Sequence, residues 1–457
     1  MLPSNRQVPA ADAVAPLSDA ELDPLFASLA AATKVALAVS GGPDSLALLD
    51  CIDRWRKQGS RPEAIVLSVD HRLRAGSGDE SAMVAGIAEA RGLDCRILVR
   101  EGPAPASGVE AAARQARYAL LLAAARREGA THLVTAHHRD DQAETFLMRI
   151  TRGSGPYGLA GMRRETVAGG PGEAPIIVSR PFLDLPRARL AATTAAAGLV
   201  PVADPMNDDP RFLRARIRHA MPRLAAAGLE PALLAEVAGR MGEAADALDR
   251  GTARLIAGAV TVDALAVVRV DRAALAGEPE EIRRHLIVRI LEAIGGAPYP
   301  PRNEKLDALL ATVSGAHQTK RTLAGVAIEV RRDKLVFYRE IGREGLGGME
   351  VLPGWSGIFD RRFSVTVATD APINLRLAAL GEAGRLEAGA RSDRGPVGAL
   401  AALPALWHEG RLYAVPSLPW PDPLPPSATV TPLVRERLLR HTASGRPNAV
   451  HSAVISA

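Results

Sequence analysis

Two short clusters of polar residues have the composition of a chemical site. The first spans residues 40–45, with the sequence SGGPDS, and the second spans residues 137–144, with the sequence HHRDDQAE. Glycines between a strand and a helix let backbone N–H groups approach an anion and hold it. A carboxylate beside that anion, here Asp44, is favourable when Mg²⁺ lies between the two charges. The first cluster therefore predicts a site for a nucleoside triphosphate with Mg²⁺.

The SGGPDS loop has two other interpretations. A Walker A loop requires the sequence GxxxxGK[ST], and residues 40–45 contain no lysine. A purely structural alternative is a Gly-Gly-Pro turn capped by the side chains of Ser40 and Asp44. The hexapeptide alone does not decide between that turn and a phosphate site.

The second cluster places two imidazoles and three carboxylates at the start of a predicted helix. Acidic side chains stabilise a helix N-terminus, so capping accounts for Asp140 or Asp141 and for Glu144. Capping does not account for His137 and His138 beside two adjacent carboxylates. A metal triad is one interpretation, and a cluster that binds Mg²⁺ and a cationic amine fits a nucleotide enzyme better.

Strand-like and helix-like runs alternate around both clusters. The strand-like runs are KVALAVS (34–40), AIVLSVD (64–70), DCRILVR (94–100) and THLVTAH (131–137). This alternation predicts an α/β fold with a doubly wound parallel sheet. Ligands bind at the carboxyl ends of such strands, where residues 40–45, 70–74 and 137–144 lie. The Gly-rich residues 152–162 predict a loop.

The hexapeptide resembles the signature of the PP-loop ATP pyrophosphatases, which cleave ATP between the α- and β-phosphates. Further blocks resemble one branch of that superfamily, the tRNA(Ile)-lysidine synthetases, which join lysine to the wobble cytidine of an isoleucine tRNA. These blocks follow in the same order: SVDHRLR (68–74), ARQARY (113–118), HHRDDQAET (137–145), GLAGM (158–162) and RPFLDLPRARL (180–190). Such an ordered series makes a chance match remote.

This resemblance implies a Rossmann-like PP-loop domain and an ATP-dependent C–N ligase. The cytidine O2 attacks the α-phosphorus, pyrophosphate leaves into the SGGPDS loop, and the ε-amine of free L-lysine attacks C2. The product is lysidine in the tRNA(Ile) that has a CAU anticodon, and its decoding changes from AUG to AUA. ATP and Mg²⁺ are the implied cofactors, and free L-lysine and this tRNA are the implied partners.

The resemblance also implies roles for individual residues. We expect ATP at Ser40, Gly41, Gly42, Pro43, Asp44, Ser45, Asp70 and His71. We expect catalysis at Asp44, Asp140, Asp141, His137 and Arg114, with the metal at Asp44 and Asp140. We expect lysine at Asp141, Glu144 and Arg117, and tRNA at Arg211, Arg214, Arg216 and Arg218. Which of Asp140 and Asp141 handles the amine is left open.

Each group of basic residues has a structural interpretation as well. Arg114 and Arg117 lie three apart in a helical run, so they share a face that meets phosphate, the lysine carboxylate or solvent. His71 and Arg74 either bind nucleotide or close a turn. Arg211, Arg214 and Arg218 recur at helical spacing, with Arg216 on another face, and they either track RNA phosphates or face solvent.

Two positions depart from the family pattern. The family's D-x-S-N and R-N-x-I-R appear here as DPMN and RARIR, so Met206 and Ala215 replace a serine or asparagine of the pattern. The hydrogen bonds of the replaced side chains must be absent or made elsewhere. The last third of the chain resembles the family only through residues 403–418.

A chain of 457 residues is longer than one hydrophobic core usually supports. The later segments predict helical and smaller mixed α/β C-terminal domains, with a hairpin in ALWHEGRLYAV. The predicted division is a flexible tail at 1–20, a PP-loop catalytic domain at 21–215, a helical connector and tRNA-binding domain at 216–345, a small domain at 346–425 and a partly ordered tail at 426–457.

Bulk composition fits a polyanion-binding protein of the cytoplasm. The formal charge is +5 and the pI is about 9.5, a small basic excess for this length. The sequence contains no apolar run that could span a bilayer, and its first residues lack a basic and apolar signal segment. We therefore predict a cytoplasmic protein without membrane contact, and the oligomeric state is left open, a homodimer included.

Two rival functions follow from the same residues. PP-loop tRNA thiolases often carry paired or CxxC cysteines, whereas the cysteines here are Cys51 and Cys95 alone. A non-catalytic nucleotide-binding protein is the other rival. Simple retention of ATP would not require Asp44 together with all the carboxylates of the second cluster, and this argues against the non-catalytic rival.

Overall fold

The structure is a computed structural model. It describes residues 15–70, 72, 77–100, 109–169, 173–202, 209–295, 301, 303–315, 317–343, 345–390, 392–418 and 428–439. Contacts among these residues divide the chain into two compact units, and the division falls between Ala245 and Asp246. None of the described helices is both long enough and apolar enough to cross a membrane.

The first unit contains, within the described residues, one six-stranded sheet. Its strands are β1 (Lys34–Ala38), β2 (Glu63–Asp70), β3 (Asp94–Val99), β4 (His132–Val134), β5 (Glu165–Ala168) and β6 (Ile176–Ser179). The order is β3-β2-β1-β4-β6-β5, and every pair is parallel except β5 with β6. The predicted α/β fold with a doubly wound sheet is confirmed. The sequence did not predict β5 and β6, because four residues are too few for a clear alternation.

Helices of the first unit cover both faces of this sheet. They are α1 (Asp19–Phe26), α2 (Pro43–Lys57), α3 (Ser77–Glu89), α4 (Val109–Arg127), α5 (Arg139–Ile150), α6 (Pro156–Leu159), α7 (Arg187–Ala196), α8 (Leu213–Ala226) and the first half of α9 (Pro231–Ala259). Val35 and Leu37 pack into the core that holds α2, whereas Ala36 packs into the core that holds Leu121 of α4. Successive strand residues thus face opposite helical layers.

One local prediction was wrong. Residues 152–162 were expected to form a loop, and they contain the single helical turn α6. Gly155 precedes this turn with an extended backbone, and Pro156 is its first residue. Proline fits the first helical position because that position needs no N–H donor.

The second unit combines, in the part described, sheets of five, four and three strands. Its strands are β7 (Val260–Val262), β8 (Val268–Asp271), β9 (Thr319–Leu323), β10 (Val326–Val330), β11 (Lys334–Arg339), β12 (Met349–Val351), β13 (Ser356–Phe359), β14 (Phe363–Val367), β15 (Leu375–Ala379), β16 (Pro404–His408), β17 (Arg411–Ala414) and β18 (Ala428–Pro432). Its helices are α10 (Arg272–Ala276), α11 (Glu280–Gly295), α12 (Asn303–Ser314), α13 (Gly381–Glu387), α14 (Val397–Ala401) and α15 (Val434–Leu439). The strand orders are β7-β8-β11-β10-β9, β12-β15-β16-β17 and β13-β14-β18.

The hairpin predicted in ALWHEGRLYAV is present. Strands β16 and β17 pair antiparallel, with His408 opposite Arg411. The two residues between them, Glu409 and Gly410, have φ angles of 48° and 78°. Positive φ at both central residues matches the twist of a two-residue hairpin, and the glycine makes the second of these angles easy to adopt.

A fully buried arginine links separate elements of the second unit. Arg362 is 1% exposed, and its Nε donates to Oδ2 of Asp360 at 2.7 Å. Its Nη2 donates to the carbonyl of Ala402 at 2.6 Å. Nε of Arg339, on β11, donates to the same Asp360 carboxylate at 3.0 Å. The turn between β13 and β14 is thereby tied to β11 and to the end of α14.

Candidate active site

The SGGPDS loop connects the carboxyl end of β1 to the start of α2. Gly42 is the N-cap residue, with an extended backbone and no side-chain cap, and Pro43 is the first helical residue. The turn capped by Ser40 and Asp44 is therefore not what forms here. Gly41 has a φ of 82°, and a Cβ at this position would lie 3.1 Å from Cγ2 of Val202. Only glycine suits this position, and the free N–H groups of α2 lie beside it.

Serine and threonine hydroxyls fix the shape of this loop. Ser45 Oγ donates to the carbonyl of Gly42 at 2.9 Å and accepts from the amide of Ser40 at 3.2 Å. Thr194 Oγ1, on α7, donates to the carbonyl of Pro43 at 2.7 Å. The loop is preorganised by its own side chains and by α7.

Asp44 has one carboxylate oxygen that no described residue satisfies. Its Oδ1 is buried and has no hydrogen-bond partner among the described residues, whereas its Oδ2 lies 3.5 Å from Nε2 of His138. Buried polar atoms normally have a partner, and a hard cation such as Mg²⁺ is a suitable one. No three His, Cys, Asp or Glu side chains of the described residues converge on a metal site. Mg²⁺ typically uses one or two carboxylates and takes its other ligands from phosphates and water, so Asp44 fits it.

His138 joins the two polar clusters. It is the N-cap of α5, where its Nδ1 accepts from the amide of Asp141 at 3.3 Å and its own amide donates to Oδ2 of Asp141 at 3.1 Å. Burial lowers the pKa of His138, but the carboxylates of Asp141, Asp44 and Asp140 outweigh it and raise that pKa to about 9. A ring that is protonated at both nitrogens has no acceptor at Nδ1. The N-cap hydrogen bond therefore favours the neutral ring, whereas the three carboxylates favour the protonated ring. Sequence reasoning did not expect capping to involve a histidine.

His137 lies in a different environment from its neighbour. Its Nδ1 is 2.8 Å from Oγ1 of Thr135, and its Nε2 is 3.2 Å from Nη2 of Arg114. Burial and then the charge of Arg114 hold the pKa of His137 well below its ordinary value. The ring is therefore neutral, with Nε2 accepting from the guanidinium. Burial also lowers the pKa of Arg114 to about 9.

Asp140, on α5, anchors the start of α7. Its Oδ2 accepts from the amide of Arg187 at 2.9 Å and lies 3.8 Å from Nδ1 of His138. The amide of Arg139 donates to the carbonyl of Leu185 at 2.9 Å. The HHRDDQAE and RPFLDLPRARL blocks are therefore in direct contact.

The remaining nucleotide candidates lie at the end of β2. Asp70 is buried, and its Oδ1 accepts from the amide of Arg72 at 2.9 Å. It stands at the same edge of the sheet as the SGGPDS loop, because β1 and β2 are parallel neighbours. His71 and Arg74 lie outside the described residues.

Comparisons with known proteins identify the family of this chain. Residues 16–224 match the PP-loop domain family. The chain is 42% identical to the tRNA(Ile)-lysidine synthase of Rhodopseudomonas palustris, over 72% of this chain and 97% of that protein. It is 40% identical to the tRNA(Ile)-lysidine synthase of a Bradyrhizobium species, over 70% of this chain and 94% of that protein.

The chain belongs to the tRNA(Ile)-lysidine synthase family. The resemblance inferred from the ordered sequence blocks is thereby confirmed. Among solved structures, a likeness exists to the U34-tRNA thiolase NcsA from Methanococcus maripaludis with its [4Fe-4S] cluster. Its TM-score is 0.41 at 17% identity, over 49% of this chain and 77% of that one.

In this member of the lysidine synthase family, two α8 arginines pair with carboxylates of α5, and their predicted contact with tRNA stays a prediction. Arg214 Nη2 donates to Oδ1 of Asp141 at 2.8 Å, and its Nε donates to Oε2 of Glu144 at 2.7 Å. Arg218 Nε donates to Oε1 of Glu144 at 2.8 Å. Burial would raise the pKa of Asp141, but His138 and Arg214 hold it well below its usual range. We call these four residues, Asp141, Glu144, Arg214 and Arg218, the α5–α8 cluster.

The other basic candidates lie apart from this cluster. Arg211 is 83% exposed at its side chain and pairs with Asp209. Arg216 donates to the carbonyls of Pro210 and Arg211, both at 3.1 Å. The guanidinium of Arg117 lies 5.7 Å from the ring centre of Tyr118. Their predicted contacts with tRNA and lysine stay predictions.

One of the two departures from the lysidine synthase pattern is described by the structure. Ala215 is buried within α8, where it exposes 3% of its surface. A small apolar side chain suits that position, and an asparagine there would require a hydrogen-bond partner. Met206 lies outside the described residues.

Sequence reasoning missed two residues that hold the GLAGM block. The Gln142 carboxamide accepts from the amide of Met162 at 2.6 Å and donates to its carbonyl at 2.8 Å. Arg149 Nη1 donates to the carbonyl of Gly161 at 3.1 Å. Both residues lie on α5, so the helix that carries the acidic cluster also fixes this loop. The sequence did contain a signal for Gln142, because this residue lies within the HHRDDQAET block.

We expect Gln142→Leu to loosen residues 158–162 without unfolding the domain. The substitution leaves a buried N–H and a buried C=O of Met162 without partners, which costs about 2 kcal/mol locally. Hydrogen exchange of the loop amides, read by mass spectrometry, should accelerate by roughly 30-fold. Gln58→Leu, at the exposed C-cap residue of α2, is the matched control. Unchanged exchange in Gln142→Leu would show that Gln142 does not secure the loop.

Proposed function

We propose that this chain joins free L-lysine to C2 of the wobble cytidine in tRNA(Ile) with a CAU anticodon. ATP adenylates the base O2, pyrophosphate leaves first and AMP leaves when the amine attacks C2. The product is lysidine, and the codon read changes from AUG to AUA. The lysidine synthase family supports this assignment over almost the whole length of the relatives.

The observation that carries the proposal is the contact between the two polar clusters. Nε2 of His138 lies 3.5 Å from Oδ2 of Asp44 and 3.4 Å from Oδ2 of Asp141. The proposed pyrophosphate site at the SGGPDS loop and the carboxylate of Asp141 therefore lie on either side of His138. Adenylation and amine attack act on neighbouring atoms of one base, so the reaction requires such adjacency.

The SGGPDS loop performs the first half of the reaction. We assign the N–H groups at the start of α2 and the hydroxyl of Ser40 to the departing pyrophosphate, while the Ser45 hydroxyl, which donates to the carbonyl of Gly42, shapes the loop. Asp44 and Asp140 are the residues that would hold Mg²⁺, which neutralises charge on the phosphates when bound. Asp70 stands at the same edge of the sheet, at the end of β2.

The acidic cluster performs the second half. Lysine arrives with a protonated ε-amine, so a carboxylate must bind the ammonium before the proton is lost. Asp141 is the candidate whose position, next to His138, borders the pyrophosphate loop. Neutral His137 accepts a hydrogen bond from Arg114 and so keeps that guanidinium oriented.

Recognition of tRNA beyond the wobble base requires further surface, and we assign it to the regions predicted at 216–345 and 346–425. A homodimer and a cytoplasmic location belong to the same proposal. The cysteines do not support sulfur transfer, the rival function. Cys51 is buried, and burial raises the pKa of its thiol to about 12, while burial also raises the pKa of Cys95. Neither thiol forms the reactive thiolate easily.

The decisive assay is incorporation of labelled L-lysine into tRNA(Ile) with a CAU anticodon, with ATP and Mg²⁺ present. We expect incorporation into this tRNA and none into methionine tRNA, which has the same anticodon letters before modification. Pyrophosphate release without incorporation would point to another nucleophile or another RNA. No release with either tRNA would contradict the proposal.

A further inference from the structure

Every carboxylate oxygen of the α5–α8 cluster already has a partner. Asp141 Oδ1 accepts from Arg214, and Asp141 Oδ2 accepts from the backbone of His138. Glu144 Oε1 accepts from Arg218, and Glu144 Oε2 accepts from both arginines. A cationic amine that enters this cluster must therefore compete with an existing cation or cap.

Burial makes simple addition of another cation unfavourable. The side chains of Asp141 and Glu144 are 14% and 5% exposed, and those of Arg214 and Arg218 are 16% and 25% exposed. A carboxylate oxygen can accept a second hydrogen bond. An ammonium on Oδ1 of Asp141 beside the guanidinium would nevertheless bring two cations into contact where solvent screens them poorly. Exchange of one cation for the other avoids that repulsion.

One contact of the cluster is the easiest to exchange. Arg214 donates to Asp141 through Nη2 and to Glu144 through Nε. Glu144, by contrast, accepts hydrogen bonds from both arginines. Asp141 Oδ2 also forms part of the capping box of α5, so its release would open the helix end. Loss of the Nη2 contact leaves every other pairing of the cluster in place.

We propose that Arg214 is a placeholder for the substrate ammonium at Asp141. In the unliganded enzyme its Nη2 neutralises Oδ1, and the ε-ammonium of lysine displaces it on binding. Arg214 then remains attached to Glu144 and positions that carboxylate. This inference rests on the proposed function, since it identifies the amine as lysine. It also separates Arg214 from the tRNA-binding role that its helical spacing predicted.

The placeholder role gives Arg214→Gln an unusual expected effect. Removal of the competing cation should tighten lysine binding, so that the dissociation constant falls about fivefold or more because a like charge is gone. We would measure it by calorimetric titration of L-lysine into the full-length protein. The dissociation constant for tRNA, measured without lysine, should stay within about twofold, since no phosphate contact is lost. Arg240→Gln, at an exposed arginine of α9 paired with Glu236, is the matched control and should change neither constant.

Other outcomes overturn the inference. Weaker lysine binding in Arg214→Gln would mean that the guanidinium itself binds the substrate. Unchanged lysine binding with weaker, less salt-dependent tRNA binding would make Arg214 a phosphate ligand. Where Arg214→Gln is too unstable to titrate, Arg214→Lys is the second variant. A single ammonium cannot bridge Asp141 and Glu144 as the planar guanidinium does, so lysine affinity should rise there too.

The same experiments separate this inference from the proposed function. Lysine incorporation by the wild-type enzyme, together with weakened lysine binding in Arg214→Gln, would retain the function and reject the placeholder. Tighter lysine binding in the variant, without any lysine incorporation by the wild-type enzyme, would retain the placeholder and reject the proposed function. Absence of lysine binding in both proteins would reject the placeholder outright.

Discussion

Asp44→Asn abolishes pyrophosphate release and lysidine formation while it leaves tRNA binding intact. The buried Oδ1 without a described partner is the atom that fits Mg²⁺. An amide is a much weaker ligand, so charge on the phosphates would go unneutralised, and we expect a loss of about a thousandfold or more in rate. The substitution is isosteric and should not disturb α2. Single-turnover pyrophosphate release with saturating tRNA and ATP measures the effect.

Asp53→Asn on the same helix is the control for this experiment. Asp53 pairs with Lys57 at 2.8 Å and lies away from the loop, so its neutralisation tests whether loss of any α2 carboxylate has this effect. We expect its rate to stay within about threefold of wild type, because Asp53 lies nine residues, roughly 14 Å, further along the helix than Asp44. Equal losses in the two variants, or loss of tRNA binding in Asp44→Asn, would remove Asp44 from the metal site.

Arg362→Met is expected to cause the largest loss of stability. Its removal leaves the Ala402 carbonyl without its donor and deprives Asp360 of one of two guanidinium partners. Breaking a buried pair of this kind costs about 3 kcal/mol or more. Denaturation followed by hydrogen exchange of peptides from β13, β14 and α14 would show the loss in the second unit.

Arg376→Met provides the comparison for that stability measurement. Arg376 is 58% exposed and lies 4.0 Å from Glu350, so the same substitution removes only a loose surface pair. We expect a change of less than about 0.5 kcal/mol. A small effect in Arg362→Met as well would show that Arg339 alone satisfies Asp360.

The nucleotide loop and its sheet could be predicted because their signals are local. A strand, two glycines, a proline and a helix follow one another directly in residues 34–57. Glycine suits the turn after the strand, and proline suits the first position of the helix. Strands β5 and β6 could not be predicted in the same way. They are short, and only their pairing with each other and with β4 defines them.

The partners of the α8 arginines depend on contacts between distant segments. Helical spacing places Arg214 and Arg218 on one face, but it does not say which surface covers that face. Their partner Glu144 lies some seventy residues earlier in the chain. The same limit applies to His138, whose position within the motif was known while its contact with Asp44 depends on how β1 and β4 pair.

Helix α7 is a spacer between the two polar clusters. Its first residue, Arg187, is held by Asp140, and Thr194 holds Pro43 of the pyrophosphate loop. Seven residues separate these contacts, about two helical turns and roughly 10 Å, so both fall on one face of the helix. An insertion or deletion of one residue between them would rotate one contact by about 100° and away from its partner. The separation between the SGGPDS loop and the start of α5 is therefore fixed by the length of this helix.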